Sequence, residues 1–446
     1  MSPGGNSRPP DTAWPEALTE PVRAFRGESR IFLAFSGGLD STILLQVAAS
    51  CLPPSAHLTA VHVNHQLQPN SMETEASCRR QCEALGVDFL CRRVVVDQPE
   101  QGVGGLEEAA RQARYQVFEQ VLADGGVLLM AHHRDDQAET VLFRFLRGSG
   151  VAGLAGMPAR RRLGRGWLAR PFLHVERAQL QAWAEAAGLR WTEDPSNTDQ
   201  RFDRNFLRHG IVPRLKARWP SLLARLDATA TACREAAELS QSLAQLRFAQ
   251  VGSDQGTLVL AELSRLSLTE QKNLLRWWIA RAGYRLPELK DWGLVLAELI
   301  QAAPDREPEL RGDGFTVRRF RGHLYLVADQ AEMPMSIDQL TAGQSVRWDR
   351  LRISLNQVDA GCTQIPRIQV CARGGGERFR PVPGGPSRSL KNWLQEQAVP
   401  PWQRARLPLF YERSELVGIG GLWLSPRFSG AAPESGWRIV VERDCD

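Results

Sequence analysis

Along the first third of the chain, short apolar runs at residues 31–35, 58–63, 89–96 and 127–130 alternate with stretches in which apolar positions recur every three or four residues, at 41–50, 73–85 and 106–123. Mainly apolar runs of that length suit strands of a sheet covered on both faces, and the intervening periodicity suits the helices that cover them. The order predicts an α/β fold, a doubly wound parallel sheet, over residues 24–218. After Gly148 come Gly-rich turns, a helix over 176–187 and a polar segment at 193–208, with Pro213 and Pro220 bracketing the exit from this domain. Residues 221–301 carry Ala, Leu, Glu and Arg at helical spacing and precede a β-hairpin at 315–327, so 219–330 read as a mostly helical middle domain. A linker at 329–344 leads to a small α+β domain over 341–446, with short strands and one helix near 390–397.

Composition adds three constraints. A chain of 446 residues, 43% of them hydrophobic, can bury more than one core. The first 23 residues are rich in Pro and Gly and lack an apolar run, which predicts a flexible leader, a cytoplasmic protein and no membrane partner. Eight cysteines without an export signal predict reduced thiols, and Cys78 and Cys82, four residues apart on a helix, read as packing residues because no second pair matches their spacing. Positive charge is concentrated: residues 160–220 hold 13 Lys or Arg against 6 Asp or Glu, and 373–410 hold 7 against 2. Two such segments suit a partner with an extended phosphate backbone, solvated surface arginine being the alternative.

The strongest chemical signal is Ser36-Gly37-Gly38-Leu39-Asp40-Ser41, set between the first strand and the first long helix. Its glycines let successive N–H groups and a helix N-terminus converge on an anion, and two serines add hydroxyl donors. No Gly-Lys-Ser/Thr ending follows, so this is not a Walker loop. The second strand ends in polar residues, with His62, Asn64 and His65 placed where an open α/β sheet cradles its ligand. A third constellation spans Ala131 to Thr140. His132, Asp136 and Glu139 are spaced by four and three, which predicts one helical face. Carboxylates aimed at phosphates require a cation between them, so Mg²⁺ is implied, with Asp40 and Asp136 as its ligands and His132 and Glu139 handling protons or orientation. Arg111, on the helix of 106–123, either faces the phosphates or pairs at the surface with Glu107.

The hexapeptide at 36–41 resembles the PP-loop of enzymes that split ATP between the α- and β-phosphates, the product being AMP and pyrophosphate. Further segments narrow the likeness. Glu193-Asp194-Pro195-Ser196-Asn197 with Arg204-Asn205-Phe206-Leu207-Arg208, the glycines of 148–157, and Arg373-Gly374-Gly375-Gly376-Glu377-Arg378-Phe379-Arg380 with Ser389-Leu390-Lys391 and Pro400-Pro401-Trp402 resemble the tRNA(Ile)-lysidine synthetase family over residues 30–425. Asn392 and Trp393 depart from the family's pattern of a second lysine and another apolar residue.

That resemblance implies ATP as co-substrate, adenylation of O2 of the wobble cytidine in the CAU anticodon of tRNA(Ile), and attack at C2 by the amine of free lysine, changing codon reading from AUG to AUA. It implies ATP binding by Ser36, Gly37, Gly38, Leu39, Asp40, Ser41, His62, Asn64 and His65. Lysine or tRNA binding would fall to Asp194, Ser196, Asn197, Arg204, Asn205, Arg208, Arg373, Arg378, Arg380 and Lys391. A PP-loop tRNA thiolase and a non-catalytic RNA-binding protein are the alternatives, and the sequence leaves a homodimer open.

Overall fold

The computed structural model describes residues 14–443 apart from 97–102, 193–198, 288, 290, 304–305, 307, 330–334, 350, 360, 363 and 383. The chain divides into two compact units, Met1–Ser240 and Gln241–Asp446.

The first unit opens with α1 (Glu16–Arg23), which buries Leu18 and Val22 completely. The flexible leader expected over 1–23 is therefore corrected: residues 16–23 form an amphipathic helix whose apolar side joins the core. Residues 1–13 lie outside the described residues. Then follow β1 (Arg30–Ala34), α2 (Leu39–Cys51), β2 (His57–Asn64), α3 (Ser71–Leu85), β3 (Asp88–Arg93), α4 (Val103–Val121), β4 (Val127–Leu129), α5 (Arg134–Leu146), α6 (Val151–Leu154), β5 (Arg160–Leu163), β6 (Gly166–Ala169) and α7 (Arg177–Ala186). The sheet order is β3-β2-β1-β4-β6-β5, parallel except for the edge strand β5, which hairpins onto β6.

Strand alternation explains why both faces are covered. Ile31 and Leu33 point to the side filled by Ile43, Leu44, Val47, Phe172 and Leu180. Phe32 and Ala34 point to the other, against Phe118 of α4 and Leu122 just beyond its end. This is the doubly wound arrangement, and Cys78 and Cys82 serve it as buried packing residues. Strand order reverses at β1, which lies between β2 and β4, so the carboxyl ends of β1 and β4 flank the crevice where such folds hold ligands.

The unit closes with α8 (Asp203–Phe206), one turn of π-helix at Leu207–Ile211, and α9 (Val212–Arg218). The long helix α10 (Leu222–Val251) begins here and ends in the second unit.

In the second unit, β7 (Leu258–Val259), α11 (Leu260–Leu263), α12 (Leu268–Arg281) and α13 (Trp292–Gln301) precede β8 (Glu309–Gly312), β9 (Phe315–Phe320) and β10 (His323–Ala328). The expected hairpin is β9–β10, and β7 and β8 extend it to four strands. Beyond lie β11 (Ser345–Trp348), β12 (Leu351–Gln357), β13 (Ile368–Cys371), β14 (Arg378–Phe379), β15 (Arg388–Ser389), α14 (Leu390–Glu396), α15 (Pro401–Arg404), β16 (Leu409–Glu412), β17 (Glu415–Ile419), β18 (Trp423–Leu424) and β19 (Trp437–Arg443). The linker expected at 329–344 is corrected at its end: Leu340 is fully buried and its N–H donates to the Ile368 carbonyl, while Ile337 pairs with Val370. Alternating apolar residues in a polar segment were enough to dock it onto β13.

Candidate active site

The loop after β1 is shaped by Gly37, whose φ of +82° is left-handed and whose missing Cβ would lie 2.8 Å from the Cys78 sulfur. Glycine is the residue that fits there. Gly38, in extended conformation, starts α2 with no side chain capping the helix, so the first N–H groups keep no side-chain acceptor. The Ser36 and Ser41 hydroxyls lie 3.1 Å apart, and Ser41 donates to the Gly38 carbonyl at 3.0 Å. Thr192 donates its N–H to the Gly37 carbonyl at 2.9 Å and pins the turn. Leu39 is buried and anchors the first turn of α2.

Asp40 sits in that first turn. Its Oδ1 is buried without a hydrogen-bond partner, and its Oδ2 lies 3.7 Å from His133 Nε2. Burial raises its carboxyl pKa and the neighbouring Asp136 adds to the rise, with His133 opposing.

His133 is the residue the sequence reading passed over. It caps α5: the Asp136 N–H donates to His133 Nδ1 at 3.3 Å, and the His133 N–H donates to Asp136 Oδ2 at 3.0 Å. An accepting Nδ1 leaves the proton on Nε2, which faces Asp136 Oδ2 at 3.4 Å as well as Asp40. The imidazole thus lies between two carboxylates. The available signal was its place one residue before an Asp-rich first turn, where caps are found.

The expected single helical face of His132, Asp136 and Glu139 is corrected. His132 lies before α5, because the cap at His133 needs extended backbone. Its ring is neutral: burial pushes its pKa down to about 3, and Arg170 Nε donates to its Nδ1 at 3.1 Å. Asp136 and Glu139 do share a face and are both buried, but their partners are arginines. Arg204 reaches Glu139 at 3.1 Å and Asp136 at 3.0 Å, while Arg208 reaches them at 2.7 and 2.8 Å. Burial pushes the Asp136 carboxyl up, but His133, Arg204, His132 and Arg208 outweigh it and hold it well below the usual range.

His62 and Asn64 are buried under the crevice. His62 Nδ1 is 2.9 Å from the Phe35 carbonyl and burial lowers its pKa, while Asn64 donates to Glu75 at 3.1 Å. His65 Nδ1 is buried without a partner, and burial with Arg114 pushes its pKa down to about 4. Arg111, half-buried, lies over the Tyr115 ring at 5.1 Å. Asn205 donates to the Asp199 carbonyl at 2.9 Å. Asp194, Ser196 and Asn197 lie outside the described residues. In the second unit Arg378, Arg380 and Lys391 are exposed, and Arg373 pairs with Glu377 at 3.1 Å.

Among the described residues no group of three or more His, Cys, Asp or Glu could hold a metal by itself, and no helix is long and apolar enough to cross a membrane. The seven described cysteines are free, and burial pushes the Cys78 and Cys82 thiols up to about 12.

Comparison with known proteins matches three family patterns in order: a PP-loop domain at residues 11–215, a TilS substrate binding domain at 258–325 and a TilS substrate C-terminal domain at 368–441. The tRNA(Ile)-lysidine synthase of Legionella pneumophila (strain Paris) is 36% identical over 416 residues, covering 92% of this chain and 95% of its own. That of Pseudomonas syringae pv. tomato is 39% identical over 445 residues, covering 95% of each. Among solved structures, the U34-tRNA thiolase NcsA from Methanococcus maripaludis gives a TM-score of 0.41 at 16% identity, covering 49% of this chain and 78% of its own.

Proposed function

The chain belongs to the tRNA(Ile)-lysidine synthase family, and from that premise we propose that it joins free lysine to C2 of the wobble cytidine in the CAU anticodon of tRNA(Ile). In the first step the cytidine O2 attacks the α-phosphorus of ATP and pyrophosphate leaves. In the second, the lysine ε-amine attacks C2, the C2–O2 bond breaks, and AMP departs carrying that oxygen. An amide-like oxygen is a poor leaving group until phosphorylated, so activation has to come first.

The observation that best supports this reading is the Asp40 oxygen left without a partner, at a helix N-terminus that no side chain caps, by the switch point of the sheet. Backbone N–H groups of 37–41 and the Ser36 and Ser41 hydroxyls would hold the departing pyrophosphate. Asp40, with Asp136, suits Mg²⁺, a cation bound through one or two carboxylates plus substrate phosphates rather than a cage of side chains. Bound there, Mg²⁺ would neutralise charge developing between the α- and β-phosphates. His133 holds the two carboxylates apart and orients both. Arg204 and Arg208, tied to Asp136 and Glu139, would present their outer N–H groups to phosphate or to the lysine carboxylate. Asp194, Ser196 and Asn197 remain candidates for the lysine. Thiolate chemistry from Cys78 or Cys82 is disfavoured by their burial and raised pKa.

The test is mass analysis of nucleosides from tRNA(Ile) incubated with the protein, ATP, Mg²⁺ and labelled lysine. The expected product is one cytidine gaining lysine less water, and label in no nucleoside would refute the proposal.

A further inference from the structure

Behind His132 the first unit gathers three arginines around one tyrosine, with a fourth, Arg144, close enough to Arg111 to feel its charge. Arg111 from α4 and Arg161 from β5 both lie over the Tyr115 ring, at 5.1 and 5.2 Å. Tyr115 shares hydrogen bonds with Arg161 and Arg170. Arg170, 5% exposed, donates to His132 and to the Pro158 carbonyl at 2.7 Å. Arg144 from α5 donates to the carbonyls of Gly153 and Gly156, both at 2.9 Å.

Among the described residues Arg144, Arg161 and Arg170 have no carboxylate partner, in contrast to Arg204 and Arg208, and the side chain of Glu107, the alternative partner of Arg111, lies outside the described residues. Burial lowers the pKa of Arg144, with Arg111 adding to it, and burial likewise lowers that of Arg170, with Tyr115 opposing and Arg161 and Arg111 adding to the fall. Tyr115 shows the same field, since Arg111 and Arg161 outweigh burial and lower its pKa. Crowded like charges in a partly buried place call for an anion to join them.

We propose that Arg111, Arg144, Arg161 and Arg170 form a phosphodiester-binding pocket that grips the RNA backbone next to the target base, separate from the loop at 36–41 that takes the phosphates of ATP. The proposal rests on the reading of the protein as an RNA-modifying ligase. Arg170 connects this pocket to the crevice through His132, so a seated backbone phosphate would fix how far the base enters. Planar guanidiniums suit phosphate oxygens, and the exposed Arg162, over the Trp167 ring at 4.6 Å, continues the basic surface along the β5–β6 hairpin beside Arg160, which pairs with Glu28.

The experiment measures binding of full-length protein to a tRNA(Ile) transcript with the CAU anticodon, and to transcripts with one neutral methylphosphonate beside the target cytidine. Arg161→Gln is the variant, because Arg161 is half-buried on an edge strand and holds up no catalytic side chain. Expected is about tenfold weaker binding from Arg161→Gln. The neutral linkage should weaken wild type by at least as much, yet cost the variant clearly less, because only three arginines remain to lose the phosphate's charge. The salt slope should fall by about 0.7, the share of a single neutralised phosphate, Arg161→Lys should recover most of the affinity, and ATP affinity should not change. Additive losses at every flanking phosphate, or weaker ATP binding by Arg161→Gln, would overturn the pocket. Should wild type bind RNA with this coupling yet transfer no lysine, the proposed function fails and the pocket stands; lysine transfer without the coupling gives the reverse.

Discussion

At the scale of single residues the site is a set of charges that neutralise one another unevenly. Glu139 is 2% exposed and accepts from both Arg204 and Arg208. Removing one member of a buried ion pair costs about 3 kcal/mol because its partners are left behind. Glu139→Gln should therefore lower the melting temperature of the protein clearly, and an unchanged melt would show that the arginines find other partners. His65 gives a pH dependence of definite sign. Its folded pKa near 4 lies below the unfolded value of about 6.5, so in that window the unfolded chain binds the extra proton. Stability should fall as pH drops from about 6.5 toward 4, at no more than about 1.4 kcal/mol per unit for this one group and less for its partial exposure. Denaturant titrations across that range should show a shallower pH slope in His65→Gln, and an equal slope would remove His65 from the account.

At the scale of elements, the strands β1, β2 and β4 and the helices that follow them were legible because their apolar runs and helical periodicity are unambiguous. The PP-loop was legible because Gly37 has a local reason, a left-handed turn with no room for a side chain. What the sequence hid depends on contacts between distant positions. Arg204 and Arg208 meet Asp136 and Glu139 across 65–72 residues, which no local pattern encodes. His133 was overshadowed by His132 because spacing alone cannot show where a helix begins. The helix α1 was masked by a Pro- and Gly-rich neighbourhood, although Leu18 and Val22 are four residues apart. The loop itself supplies the test at this scale. Gly37→Ala puts a side chain in a left-handed conformation, at about 1–2 kcal/mol, and against Cys78. Weaker ATP binding together with a lower melting temperature is expected, and wild-type ATP affinity would mean that the turn's shape does not matter to the nucleotide.

At the scale of the whole molecule, the chain couples an ATP-splitting fold to a second unit whose exposed Arg378, Arg380 and Lys391 add a basic surface. The central claim is that the base of the RNA, and not the amino acid, receives the adenylyl group. The most direct measurement omits lysine and supplies tRNA(Ile) with ATP radiolabelled either at the α- or at the γ-phosphate. The account predicts that only α-label becomes attached to the tRNA and is released as AMP when lysine is added; α-label appearing on lysine instead, or γ-label appearing on the tRNA, would contradict it.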